Sequence, residues 1–146
     1  MKISVHNRQR RVPIRLPWLR HLAAAALPVC AEHSADGRFA LRALEEVEVV
    51  IVSDRVIAGV HERFMGLPGP TDVITFEHGE IVMSAETAAA YASRYRVSVE
   101  MELALYTVHG LLHLNGYEDA SARDAARMRK TQKRILQACL AQLPPA

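Results

Sequence analysis

Two histidines four residues apart, followed by a glycine and then an acid, constrain this chain more than any other feature. The segment runs His109-Gly110-Leu111-Leu112-His113-Leu114-Asn115-Gly116-Tyr117-Glu118-Asp119. Side chains at i and i+4 share one face of an α-helix, so the pair converges on one metal ion only if this stretch is helical. Gly116 takes a positive φ without steric cost, so it can end that helix and fold the chain back. The turn brings Asp119 or Glu118 round as a third ligand. Asp119, three residues past Gly116, is the better placed, and Glu118 has the longer reach. Two imidazoles and one carboxylate leave a coordination position open, as in catalytic zinc sites. The competing account makes the histidines an unliganded helix pair and the acids N-caps of the helix that follows.

The spacing is that of the long zincin signature, His-Glu-x-x-His-x-x-Gly-x-x-His, with two changes. Gly110 stands where a metalloprotease carries its glutamate base, and Asp119 stands where the third histidine would be. Without that base, peptide hydrolysis lacks its proton acceptor, so the metal geometry survives and the peptidase reading does not. The string from His109 to Tyr117 resembles the signature of the YbeY family, bacterial metal-dependent endoribonucleases of ribosomal RNA maturation. Thr71-Asp72-Val73-Ile74-Thr75-Phe76 and Gly79-Glu80-Ile81-Val82-Met83-Ser84 are similar to two strands of that family. Glu102 to Val108 resembles the helix leading into its first histidine. The likeness runs from about Val47 to Asp119, and the flanking segments match only in general pattern. Two departures stand out: Asp119 for the family's third histidine, and Met65 for an arginine usual after the helix before the Thr-Asp strand.

The bulk numbers fit an ordinary globular chain. At 146 residues it is one domain by the usual prior, with half its residues hydrophobic and 23% charged. Net charge is only +2, but fifteen of the eighteen basic residues are arginine. Arginine forks fit phosphate oxygens bidentately, which favours a phosphate or nucleic-acid partner, although solvated helix faces account for such charge equally well. Cys30 and Cys139 are far apart and lack a C-x-x-C partner, so they read as reduced thiols of a cytoplasmic protein. Arg10-Arg11 ahead of Leu22-Ala23-Ala24-Ala25-Ala26-Leu27 imitates a secretory signal. Yet Trp18, Leu19, Leu22, Ala26 and Val29 recur at helical spacing, and Ile3 and Val5 alternate as in a strand, so the segment is expected to be structure. No stretch is long and apolar enough to span a membrane.

Periodicity and punctuation predict an α+β fold: one domain over 1–146, with a small mixed sheet of about four strands packed on about five helices, one of them a zincin-like metal helix. Strands are expected at Ile3–Val5, Val47–Val52, Val73–Phe76 and Glu80–Met83. Pro13 to Pro17 should bend, ahead of a helix from Trp18 to Ala31. Ser53 caps a helix to about Phe64, with Val56, Ile57, Val60 and Phe64 inward. Gly66, Pro68, Gly69 and Pro70 force a loop. Ser84 caps a helix to about Arg96, Ser98 caps the metal helix to Leu114, and Ser121 opens a last helix with Met128, Ile135, Leu136 and Leu140 inward.

Chemically, His109, His113 and Asp119 are the expected metal ligands and act in catalysis through the ion. Zinc is the default, and an oxygen ligand admits manganese or iron. Three neutral histidines would leave the ion its full charge, whereas an aspartate cancels one unit, making bound water less acidic. His78, in a tight turn beside the Thr-Asp strand, is a candidate proton shuttle or a plain turn histidine. Asp72 is expected to bond loop amides after Pro70. Arg123, Arg127, Lys130 and Arg134, spaced four, three and four, form a basic stripe suited to RNA backbone or simply to solvent. Arg63, Arg55 or His61 can replace the cation missing at Met65. The resemblance implies single-stranded RNA as substrate, small-subunit ribosomal RNA 3′-end maturation and ribosome quality control as role, and small-subunit proteins and an assembly GTPase as partners. The rival readings are a ribosome-assembly module whose site has decayed, and a metal hydrolase of another substrate.

Overall fold

The computed structural model describes residues 1–146. Its sheet grows from the β-branched run Glu46–Val52, in which alternate side chains turn to opposite faces and both faces are covered. In chain order the elements are β1 (Lys2–Asn7), α1 (Leu16–Ala31), a short 3₁₀ turn (Ala40–Ala43), β2 (Glu46–Val52), α2 (Asp54–Met65), β3 (Val73–Phe76), β4 (Glu80–Ser84), α3 (Ala85–Tyr95), α4 (Val99–Leu114) and α5 (Ala122–Leu140). The sheet order is β1-β2-β4-β3. β1, β2 and β4 run parallel and β3 is antiparallel to β4, so the predicted mixed four-stranded sheet with five helices is what forms.

The faces divide unequally. Val47, Val49, Ile51, Ile81 and Met83 point into the main core, which they share with α1, α4 and α5. Val50, Val52, Ile74 and Val82 point the other way, where Ile57 of α2 completes a core of five buried residues. Val56 and Phe64, expected to face inward, are 49% and 60% exposed. α2 touches this face mainly through Ile57, which leaves an open apolar groove lined by Val56, Phe64 and Phe76.

All four expected serine caps form: Ser53, Ser84, Ser98 and Ser121 accept from the amides of Val56, Thr87, Met101 and Asp124. The bend at Pro13 to Pro17 is shorter than expected, because α1 begins at Leu16 with Pro17 in its first turn, where no backbone donor is needed. Trp18, Leu19, Leu22, Ala23 and Ala26 are buried in the main core, so the signal-like segment is integral to it. No helix is long and apolar enough to cross a membrane.

Candidate metal centre

The α4 helix carries the site and is buried over most of its circumference, since it packs between the sheet and α1, α3 and α5. Its half-buried stripe is Met101, Leu105, His109 and His113, each four residues after the last, with Glu102 and Tyr106 buried beside it. Gly110 faces the other way, onto β4. A Cβ added there would come within 2.6 Å of Ile81 Cδ1, so the helix lies on the strand as closely as its backbone permits. Ile81 fills the space beside the position where a zincin carries its glutamate.

The helix ends in a Schellman turn. Tyr117 N donates to Leu112 O (3.0 Å) and Gly116 N to His113 O (3.1 Å), with Gly116 at φ +96°. This turn aims the Tyr117 carbonyl at His113 Nδ1, 2.7 Å away. A carbonyl can only accept, so Nδ1 donates and the neutral ring keeps its lone pair on Nε2. His109 is fixed in the same sense from another element: its Nδ1 donates to Gln132 Oε1 of α5 at 2.5 Å. The two rings lie nearly parallel, at 13°, with centroids 6.4 Å apart. Each therefore presents Nε2 as its free nitrogen, with the opposite nitrogen anchored as metal-binding histidines require.

Asp119 Oδ2 lies 3.6 Å from His109 Nε2, the nitrogen available to an ion, whereas Glu118 Oε2 lies 3.9 Å from His113 Nδ1, the nitrogen already bonded to the turn. Neither acid caps α5. Ser121 Oγ does so, accepting from Asp124 N at 3.1 Å. No three His, Cys, Asp or Glu side chains are gathered closely enough to surround an ion as they stand. Asp119 is about half exposed and free to rotate, and two oriented imidazoles beside a carboxylate match the donor chemistry of a divalent ion.

Three cavities meet at this helix face. One of about 390 Å³ is lined by Thr71, Asp72, Tyr106, His109, Asp119 and Gln132. A second, also about 390 Å³, holds His113 with Asp36, Arg38, Thr75, Glu77 and Glu118. A third, about 190 Å³, joins His109 and Asp119 to Arg129 and Gln132. Behind the first, Glu102 and Tyr106 are buried. Loss of solvation, opposed by the nearby Tyr106 hydroxyl and aided by Asp72, pushes the Glu102 carboxyl above the usual carboxylate range. Burial and the same carboxylates push the Tyr106 phenol up, so it stays neutral. Asp72 bonds the amide of Val73 at 2.7 Å, as its loop role predicted, and also lines the cavity beside His109.

A second layer holds the turn in place. Asn115, fully buried, accepts from Leu41 N (3.2 Å) and donates to Cys30 O (3.0 Å) and His33 O (2.8 Å), while its own carbonyl accepts from Ala35 N. The loop after α1 is thereby tied to the end of the histidine helix.

The other sequence candidates lie elsewhere. His78 stacks on Phe76, 5.6 Å between centroids, and its Nε2 is 3.6 Å from Glu80. Phe76 and Glu80 line the groove under α2, on the opposite face of the sheet from α4, so His78 is not brought to the histidines. Met65 ends α2 and is half exposed. Arg63 lies over the Phe64 ring and His61 bonds Gly69 O, both on the α2 side, and Arg55 is on the exposed surface of the same helix. On α5, Arg127 lies over Tyr117 and donates to Ala35 O, while Arg123, Lys130 and Arg134 are exposed. Residue patterns missed Gln132, Arg129, Arg38 and Tyr106. Gln132, Arg129 and Arg38 reach the site from other elements, while Tyr106 stands one turn before His109 on α4; the step of three, from Tyr106 to His109 and from Arg129 to Gln132, was the only hint of a shared face.

Known proteins resemble this chain in sequence and in fold. A family model described as Endoribonuclease YbeY matches residues 4–140. A protein of that name from Nocardia farcinica is 37% identical over 120 residues, covering 69% of this chain and 65% of its own length. Its namesake from Geobacter metallireducens is 31% identical over 150 residues, covering 92% of this chain and 93% of that one. A solution structure from Thermotoga maritima shares the fold, with a TM-score of 0.65 over 96% of this chain and 90% of that one at 24% identity. With a family model matched over nearly its whole length and a relative 31% identical across both chains, the chain belongs to the endoribonuclease YbeY family.

Proposed function

We propose that this protein is a single-metal endoribonuclease cutting single-stranded RNA, with His109, His113 and Asp119 as the ligand set. The observation that carries this reading is the tautomer lock. Gln132 and the Tyr117 carbonyl both occupy Nδ1, which leaves Nε2 of both histidines for an ion. When bound, a divalent ion supplies Lewis-acid stabilisation of a phosphodiester oxygen and an acidified water or ribose hydroxyl.

The chain's own groups do the rest. Gln132 holds His109 against rotation, and the Schellman turn does the same for His113. Asp119 balances part of the charge at His109. The neutral Tyr106 phenol and the buried Glu102 form a dry floor under the cleft, which strengthens electrostatic contacts made above it. Zinc is the ion we favour, with manganese or iron admitted by the oxygen ligand.

By its resemblance to the family, the biological role is 3′-end maturation of small-subunit ribosomal RNA and ribosome quality control in the cytoplasm. Small-subunit proteins and an assembly GTPase are the partners. The deciding experiment is metal analysis of purified protein together with cleavage of single-stranded RNA, with and without chelator. One equivalent of ion per chain and chelator-sensitive cleavage are expected. Bound ion without any action on RNA would replace this reading with a metal hydrolase of another substrate. The absence of three gathered ligands favours one further reading, an assembly module that binds RNA and no longer cuts it, and RNA binding without cleavage would select that.

A further inference from the structure

Resting on the ribonuclease reading above, we propose that RNA is held along one flank of α5, with Arg129 as the phosphate-binding residue beside His109 and Lys133 continuing the track. α5 buries Met128, Gln132, Ile135 and Cys139. At about 100° per residue, Arg129 projects roughly a quarter-turn from Met128, and Lys133 follows it one turn later on the same flank. Lys130 stands nearly opposite the buried row, and Arg134 lies on the other flank of the helix. The basic stripe legible in the sequence therefore runs along the outer face and far flank of α5, and the cation beside His109 is a different residue, Arg129.

Arg129 lines a cavity with His109, Asp119 and Gln132, the same glutamine that orients His109. Its side chain is exposed and takes part in none of the ion pairs of the structure, so its guanidinium is free to fork onto a phosphate. Arg127 is already spent on Tyr117 and Ala35. The alternative cation, Arg38, shares the His113 cavity with Asp36, Glu77 and Glu118, so a phosphate there would meet three carboxylates for one arginine. The Arg129 cavity contains one carboxylate, Asp119, whose charge a bound cation would offset. Charge balance sends the backbone to the α5 side.

The test is the salt dependence of binding to a short fluorescent 2′-O-methyl oligouridylate, read on purified protein, with oligomer integrity checked on a gel. Removing one phosphate-binding cation lowers the slope of log affinity against log salt by about 0.7 for a single strand. Arg129→Gln should lower it by about that amount and raise KM for cleavable RNA several-fold, with metal content and thermal stability unchanged. Arg129→Lys should restore the slope, which a purely structural role would not do. Lys133→Gln should lower the slope as well. A native slope in Arg129→Gln, or a reduced slope in Lys130→Gln and Arg134→Gln instead, overturns this inference while leaving the ribonuclease reading intact. A native protein that neither binds nor cuts any single strand overturns both.

Discussion

Asp119 and Glu118 are adjacent carboxylates with different prospects, because each faces a different nitrogen. Asp119 stands at Nε2 of His109, and Glu118 stands at the Nδ1 of His113 that the turn already uses. Asp119→Ala should therefore lower metal retained after dialysis, whereas Glu118→Ala should leave it at the native level. Since Ser121 caps α5, neither change should cost the roughly 1 kcal/mol of a missing cap, and thermal melts of the two variants should coincide once metal is removed by chelator. Equal metal content in both would remove Asp119 from the ligand set. Glu102 makes a separate prediction. Burial favours its neutral form in the fold, so the folded state binds this proton more tightly than the unfolded chain does. Stability from this group is thus complete below the ordinary carboxylate value and is lost as pH rises from there through the raised value of the folded state. Glu102→Gln should be favoured over the native protein most at neutral pH, with the gap closing as pH falls, in melts taken across a pH series. A gap independent of pH would show that the carboxyl is solvated.

Among elements, the closest approach is α4 on β4, where Gly110 leaves no room for a side chain above Ile81. Gly110→Ala improves helix propensity yet forces Ile81 to move. Overpacking of this kind typically costs about 1–3 kcal/mol, so a lowered melting temperature is expected, and a raised one would mean that the strand yields freely. This glycine also shows which parts of the fold are legible in the sequence. The His-Gly step reads as a missing base, because a motif records what a family member lacks and not what packs there instead. The strands β2 to β4, the serine caps and the Gly116 turn are legible because each depends on local alternation or on one backbone angle. Val56 and Phe64 are misplaced by periodicity, which finds an apolar helix face without saying how far the neighbouring sheet extends beneath it. Gln132 is invisible for a different reason. Nothing within α5 marks one polar residue in a buried stripe as the partner of a histidine on α4.

Across the whole molecule, Asn115 is the tie between the loop following α1 and the histidine helix. Asn115→Ala would leave the amide of Leu41 and the carbonyl of His33 without their side-chain partner, while Cys30 O keeps the amide of His33. Unpaired buried groups cost about 1–3 kcal/mol apiece, so a loss of several kcal/mol is expected in denaturant titration. A loss near zero would mean that water replaces the amide. The same long-range economy governs the site. His109 is translated before Gln132, yet only Gln132 settles which imidazole nitrogen is left free. A nascent chain paused between the two possesses the entire histidine motif and lacks the helix that orients it. The fixed tautomer of His109 is therefore acquired late in synthesis, when α5 docks and Gln132 reaches the ring.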